Sequence, residues 1–202
     1  MPSIAALVVA DPPAVWEDLG FVVEDGQSWV SGVAHRLGTD GEGVVAWTLR
    51  GADALAELPV ADEPAPDVRP TPAHPNGVVA LDHVVVSAPD LDRTIEAFEE
   101  AGVSMRRLRD AGTPERPLTQ AFFKMEDIIV EVVGLPARKS DEPAAFAGLA
   151  FTVADLEATR ALLGDRLRPA KAAVQRGRRI ATLDRAAGSS VPIAFMSANT
   201  AP

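Results

Sequence analysis

LDHVVVSAPDLDRTIEAFEEAGV, residues 81–103, carries two hydrophobic periods hinged on one aspartate. Val84, Val85, Val86 and Ser87 alternate as a β-branched strand does. Beyond Asp90, Leu91, Ile95 and Phe98 fall on one helical stripe that ends at Gly102, a residue suited to stopping a helix. VSMRRLRD (103–110), QAFFKM (120–125) and, after a turn at Glu126-Asp127, IIVEVVG (128–134) then read as three strands. The segment is β-α-β-β-β.

The plan recurs on both sides. GLAFTVADLEATRALLGDRL (148–167) repeats the strand, the aspartate and the helix, with Leu156, Leu162 and Leu163 on the helix. RRIATLDR (178–185) and VPIAFMS (191–197) supply strands after it. IAALVVADPPAVWEDLGFVVEDG (4–26), followed by WVSGVAHRLG (29–38) and GVVAWTLRG (43–51), is a third, divergent copy whose helix is about one turn shorter. Between the first and second copies, six of the seventeen prolines fall from Pro59 to Pro75. Proline has no N–H to donate, so this stretch is expected to be an extended linker. The predicted division is a truncated βαβββ-like unit at 1–51, a proline-rich linker at 52–77 and a main domain at 78–197, built from units 78–134 and 146–197. The fold class is α+β, with the paired βαβββ units forming one curled mixed sheet.

Composition narrows the chemistry. A chain of 202 residues, 47% hydrophobic and 24% charged, can bury a core in one or two domains. Its net charge of −10 is the wrong sign for neutralising phosphates or anionic lipid, which argues against nucleic acid and membrane surfaces as partners. The absence of cysteine removes disulfides, thiolate metal sites and cysteine nucleophiles. Ile4–Ala10 lacks the basic flank and cleavage site of a secretory signal, and no apolar run reaches the length of a membrane span, so a cytoplasmic protein is expected. Imidazole chemistry is confined to His35, His74 and His83.

LDHVVVSAPDLDRTIEAFEEAGV and AFTVADLEATRALLG resemble the opening segments of units in the vicinal oxygen chelate superfamily, which includes glyoxalase I, bleomycin-resistance proteins and extradiol dioxygenases. The resemblance covers residues 78–197. It implies a cavity enclosed by eight strands, and in metal-dependent members a divalent ion held by the first and fourth strands of each paired unit. His83, seven residues before Asp90, and Glu131 in IIVEVVG match those positions in the middle unit, as candidate metal ligands and catalytic residues. The corresponding positions of the last unit are Gly148 and Ala194, and the first unit offers Ile4 and, near the fourth-strand position, Ala46, Trp47 or Thr48. None of the matched positions in those two units supplies a strong ligand, so an ion (zinc, nickel, manganese or iron) is expected to be held weakly, unless His74 or His35 completes a two-histidine, one-carboxylate set. The alternative places His74 as an exposed or loop-capping residue and His35 on a solvent-facing strand beside Arg36.

Strand alternation predicts which other residues face the cavity. Val85, Ser87, Ile129 and Val133 join His83 and Glu131, and Ala150, Thr152 and Met196 join Gly148 and Ala194. Gln120, Phe122, Arg107 and Arg178 are expected from the outer strands. The candidate ligand-binding set is therefore Gln120, Phe122, Arg107, Gly148, Thr152, Arg178 and Ala194, a mostly apolar pocket with a few polar anchors. Arg106, Arg107 and Arg109, and Arg176, Arg178 and Arg179, could hold a carboxylate or phosphate; alternatively they balance an acidic surface. GTDGEG (38–43) lacks the lysine and helix of a phosphate loop, and no nucleophile-elbow pattern surrounds Ser87. The expected partner is a small organic molecule, taken either by a glyoxalase-like lyase, isomerase or dioxygenase relative or by a non-catalytic binding protein like the bleomycin-resistance proteins. The lone third unit should dock on the main domain or pair across a homodimer, because an open sheet needs a cover.

Overall fold

Asp90 sets the geometry of the middle unit. In the computed structural model, which describes residues 2–199, the chain leaves β5 (Val78–Ala88) and the Asp90 carboxylate accepts the Arg93 N–H, opening α2 (Leu91–Glu100). Leu91 and Phe98 are buried, and Phe98 stacks on Phe123 at 4.4 Å between ring centroids. Gly102 ends the helix at φ +79°, a conformation that costs a residue with a Cβ. β6 (Met105–Asp110), β7 (Thr119–Met125) and β8 (Ile128–Gly134) follow, and β8 lies parallel to β5. The last unit repeats this with β9 (Ala145–Val153), α3 (Leu156–Leu163) capped by Asp155, β10 (Lys171–Ala172), β11 (Arg179–Thr182) and β12 (Ile193–Ser197), the last parallel to β9. An antiparallel β5–β9 junction joins the units into one sheet of order β10-β11-β12-β9-β5-β8-β7-β6. The outermost strands β10 and β6 both line one cleft, so the sheet curls around it without closing into a barrel.

The N-terminal copy departs from the expected strand plan. β1 (Ser3–Val9), α1 (Pro13–Asp18), β2 (Gln27–Val30), β3 (Val33–Leu37) and β4 (Val44–Arg50) form a second sheet of order β2-β3-β1-β4. β3, not β4, takes the parallel place beside β1. Gly38, Gly41 and Gly43, all at positive φ, carry the chain across to the far edge of β1, where β4 pairs antiparallel, the relation that β9 has to β5. The counterpart of Glu131 is therefore Ala34, opposite Ala6, and not Ala46, Trp47 or Thr48. Trp29 covers Ala6 and Ala34, with the Arg69 guanidinium 5.6 Å over its ring.

This unit docks on the outer side of the last unit. Trp16 and Phe21 pack against Phe151, at 6.1 and 5.2 Å between ring centroids, and Trp47 packs against Phe146 at 5.3 Å. The buried Asp11 carboxylate accepts from Trp16 Nε1, from the Ser189 hydroxyl and from both the amide and hydroxyl of Ser190. The apolar core runs without a break from Ile4 to Phe195. The proline-rich stretch has little regular structure but is a strap fixed to this unit: Trp47 N–H donates to the Pro59 carbonyl and Ala61 N–H to that of Trp47, covering the free edge of β4. Leu55 and Leu58 beneath it are buried. Among the described residues no helix is long and apolar enough to cross a membrane.

Candidate functional site

The curled sheet encloses a cleft of about 670 Å³. Strand registers align Arg107, Phe122, Glu131, Val85 and Gly148 in one row across the sheet. Of the predicted residues, His83, Glu131, Gln120, Phe122, Arg107, Gly148 and Ala194 line the cleft. So do Val85, Ile129, Ala150 and Met196, whereas Ser87, Val133, Thr152 and Arg178 do not.

A residue that alternation sends to the opposite face joins them. Leu81 pairs with Phe151 and His83 with Ala150, so two steps along β5 match one along β9. Asp82 is the extra residue of that bulge, and it too lines the cleft. Its Oδ1 lies 3.0 Å from His83 Nδ1. Thr152 Oγ1 donates to Asp82 Oδ2 at 2.8 Å, and Arg178 NH2 reaches the same oxygen at 2.6 Å. Arg178 is itself fixed, donating from Nε to the Ser197 carbonyl and from NH2 to Thr152. Thr152 and Arg178 thus stand behind the cleft wall and position Asp82. Burial alone would raise the Asp82 pKa, but hydrogen bonds from His83, Arg178 and Thr152 and the guanidinium charge outweigh it and hold the carboxyl well below its usual range.

Across the ring, Glu131 Oε2 lies 3.6 Å from His83 Nε2. Gln120 donates its amide to Glu131 Oε1, and its own carbonyl accepts from Arg109 NH1 at 3.0 Å. His83 is therefore framed by two carboxylates, each secured by a different unit of the sheet. Ionised Asp82 can only accept, which assigns the neutral ring's proton to Nδ1 and leaves the Nε2 lone pair facing Glu131 and the cleft. No hydrogen bond links that nitrogen to Glu131. The two basic atoms form a place where a proton taken from a ligand can be held.

The donor set does not complete a metal site. His83 Nε2 and Glu131 Oε2 are close enough to share an ion, yet Asp82 lies at the other end of the ring and is saturated by Thr152 and Arg178. Among the described residues no group of three or more histidine, aspartate or glutamate side chains converges as a metal site. Two ligands fall short of the three that a catalytic zinc takes. Position 148 could not supply another, because a Cβ there would come within 2.7 Å of the Pro192 carbonyl oxygen.

The other histidines lie elsewhere and do different work: His35 is not on a solvent-facing strand, and of the two alternatives for His74 the structure shows the loop-capping one and not the exposed one. His35 is fully buried against Trp16 and Phe151, at 5.2 and 5.6 Å between ring centroids, with Nδ1 3.3 Å from the Ser28 carbonyl. Its Nε2 has no partner, and burial lowers its pKa to about 4. His74 is also buried; Nδ1 accepts the Val22 N–H at 2.9 Å and Nε2 lies 3.1 Å from the Trp29 carbonyl, pinning the strap to the N-terminal unit. Neither lines the cleft, so neither completes a ligand set.

No family model matches the chain, and no curated protein matches it. Among solved structures it is similar to methylmalonyl-CoA epimerase from Streptomyces coelicolor in complex with 2-nitronate-propionyl-CoA, at 18% identity and TM-score 0.49 over 62% of this chain and 99% of that one. The Mycobacterium tuberculosis methylmalonyl-CoA epimerase gives 21% and 0.47 over 62% and 91%. A hypothetical protein from Bacillus halodurans gives 13% and 0.47 over 60% and 96%. The fold follows from the chain's own strand order: two βαβββ units, each with its first and last strands parallel and joined through their first strands, form a glyoxalase-like α+β fold.

Proposed function

We propose that the protein takes a small organic molecule into this cleft and moves a proton on it next to a carbonyl group, as a lyase or isomerase would. One observation carries the proposal: His83 Nε2 faces Glu131 Oε2 at 3.6 Å, with each group secured from behind. His83 Nε2 takes the proton from the carbon, the released electron pair moves into the adjacent carbonyl, and Asp82 stabilises the imidazolium that forms. Glu131, beside the same proton, accepts it from the ring or returns it to the substrate.

The test is solvent deuterium incorporation, followed by mass spectrometry, into a panel of carbonyl compounds with an acidic α-proton. Exchange should occur with the native protein and fall at least about a hundredfold in His83→Gln and Glu131→Gln, the usual scale of a general-base contribution. Protein purified without chelator should carry substoichiometric metal; stoichiometric zinc, nickel, manganese or iron lost in both variants would replace this reading with a metal-assisted one. A second reading, non-catalytic sequestration of a drug or metabolite, is favoured by the small apolar floor at Ala147, Gly148, Ala150 and Ala194. Tight binding of a panel member, unaffected by His83→Gln and without exchange, would establish it.

A further inference from the structure

The cleft carries a charge balance opposite to that of the molecule. The chain is net −10, yet four cationic side chains, Arg107, Arg109, Lys171 and Arg178, stand in or directly behind the cleft wall against two carboxylates, Asp82 and Glu131. These cations are not equivalent. Arg178 is committed to Asp82, Thr152 and Ser197, which corrects its expected place as a ligand anchor, and Arg109 donates to Gln120. The side chains of Arg107 and Lys171 make no hydrogen bond or ion pair among the described residues. They occupy β6 and β10, the two edges of the curled sheet, so they approach the same cleft from its opposite rims.

Arg107 also has a defined relation to the proton-transfer pair. It shares the cross-sheet row with Phe122 and Glu131, with the Phe122 ring position between the cation and the carboxylate. The arginine is thus kept off Glu131 and remains available. Both side chains are exposed at the rims, and most of the lining between them is apolar, so they are the cationic groups within the cleft left open to a ligand's charged end.

We propose that the ligand of this cleft is an anion, a carboxylate or a phosphate ester, whose charged group is held between Arg107 and Lys171 while its uncharged carbon reaches His83. This deepens the proton-transfer proposal by naming the substrate class, and it rests on the cleft being the ligand site. The Arg107 fork suits either oxyanion in paired hydrogen bonds, and Lys171 adds a point charge from the other rim.

The probes are succinate, its neutral diamide and inorganic phosphate, titrated by calorimetry into the full chain at low and at 0.5 M salt. Succinate or phosphate should bind, the diamide should not, and Arg107→Gln and Lys171→Gln should each weaken binding about tenfold, the loss of one charge-assisted contact. Preference for succinate identifies a carboxylic acid as the substrate class, and preference for phosphate a phosphate ester. Equal binding of the diamide, unchanged affinity in both charge variants, or no binding of either anion at 20 mM overturns the proposal. Anion binding without deuterium exchange in any compound defeats the proton-transfer reading alone. Exchange on neutral carbonyl compounds without anion binding defeats this inference alone.

Discussion

Acidification below neutrality should destabilise the protein through His35. This imidazole is fully buried, between the N-terminal sheet and the last unit, and desolvation lowers its pKa from the usual 6.5 to about 4, with a smaller contribution from His74 and a partial offset from the Ser28 carbonyl. The sign follows directly: a base with a depressed folded-state pKa binds its proton more readily when unfolded. Its stability contribution is fully present above 6.5 and is lost as pH falls toward 4. The separation of about 2.5 pH units, at about 1.4 kcal/mol each, gives about 3 kcal/mol at the acid limit and about 2 kcal/mol by pH 5, before most carboxylates titrate. The comparison is urea denaturation at pH 7.5, 6.5, 5.5 and 5.0 for native protein and His35→Leu, read by tryptophan fluorescence. Trp16 is the reporter, its ring centroid 5.2 Å from that of His35. At pH 7.5 the variant should differ by less than about 1 kcal/mol, because leucine removes an unpaired buried nitrogen and keeps most of the volume. Toward pH 5 the native protein should lose about 2 kcal/mol more than the variant. Parallel pH profiles would refute the assignment of a neutral, desolvated imidazole.

Asp11→Ala removes the acceptor shared by Trp16, Ser189 and Ser190 and should cost about 3 kcal/mol, with faster proteolysis of residues 1–51 at low urea; unchanged stability and unchanged cleavage would contradict the docking geometry. Gly148→Ala places a methyl 2.7 Å from the Pro192 carbonyl oxygen and should lower stability by about 1–3 kcal/mol in thermal melts, whereas a mere empty ligand position would accept it at no cost. Asp82→Asn keeps the side-chain shape but favours the other His83 tautomer; deuterium exchange should fall at least tenfold with little change in succinate affinity. Loss of both together would make Asp82 a structural residue of the cleft wall.

The strand–aspartate–helix pattern made the two main units legible because three local signals coincide at Asp90 and Asp155: a β-branched run, a capping carboxylate and a helical apolar stripe. His83 and Glu131 were legible through the resemblance, which marks the position seven residues before Asp90 and the middle of IIVEVVG. Asp82 was not. Strict period-two alternation sends it away from His83, and the bulge that brings it back depends on how β5 meets β9, a contact between strands about 70 residues apart in sequence. The N-terminal unit misled for a related reason. Its strands were found, but their order depends on where the glycine-rich crossing at 38–43 delivers β4. His35 was read on a solvent-facing strand because Arg36 follows it in sequence, and His74 as exposed or loop-capping because prolines flank it, whereas a docked unit and its strap bury both.

A cleft that lacks the second pair of ligating side chains still draws on the second unit. Where the metal-dependent pattern calls for ligands at 148 and 194, the last unit has glycine and alanine, and it contributes Thr152 and Arg178 from behind the wall. These two saturate Asp82, and Asp82 in turn fixes the proton on His83 Nδ1. The middle unit treats Glu131 in the same way through Gln120 and Arg109. Asp82 is thereby kept ionised, and both carboxylates are aimed at one ring by fixed donors, so that nothing need reorient if charge develops on the imidazole. A metal-dependent version of this site would draw the imidazole and carboxylate onto one ion. Here hydrogen bonds from the two units hold them, so the last unit shapes the surroundings of His83 through Asp82 even though it supplies neither the ring nor the facing carboxylate.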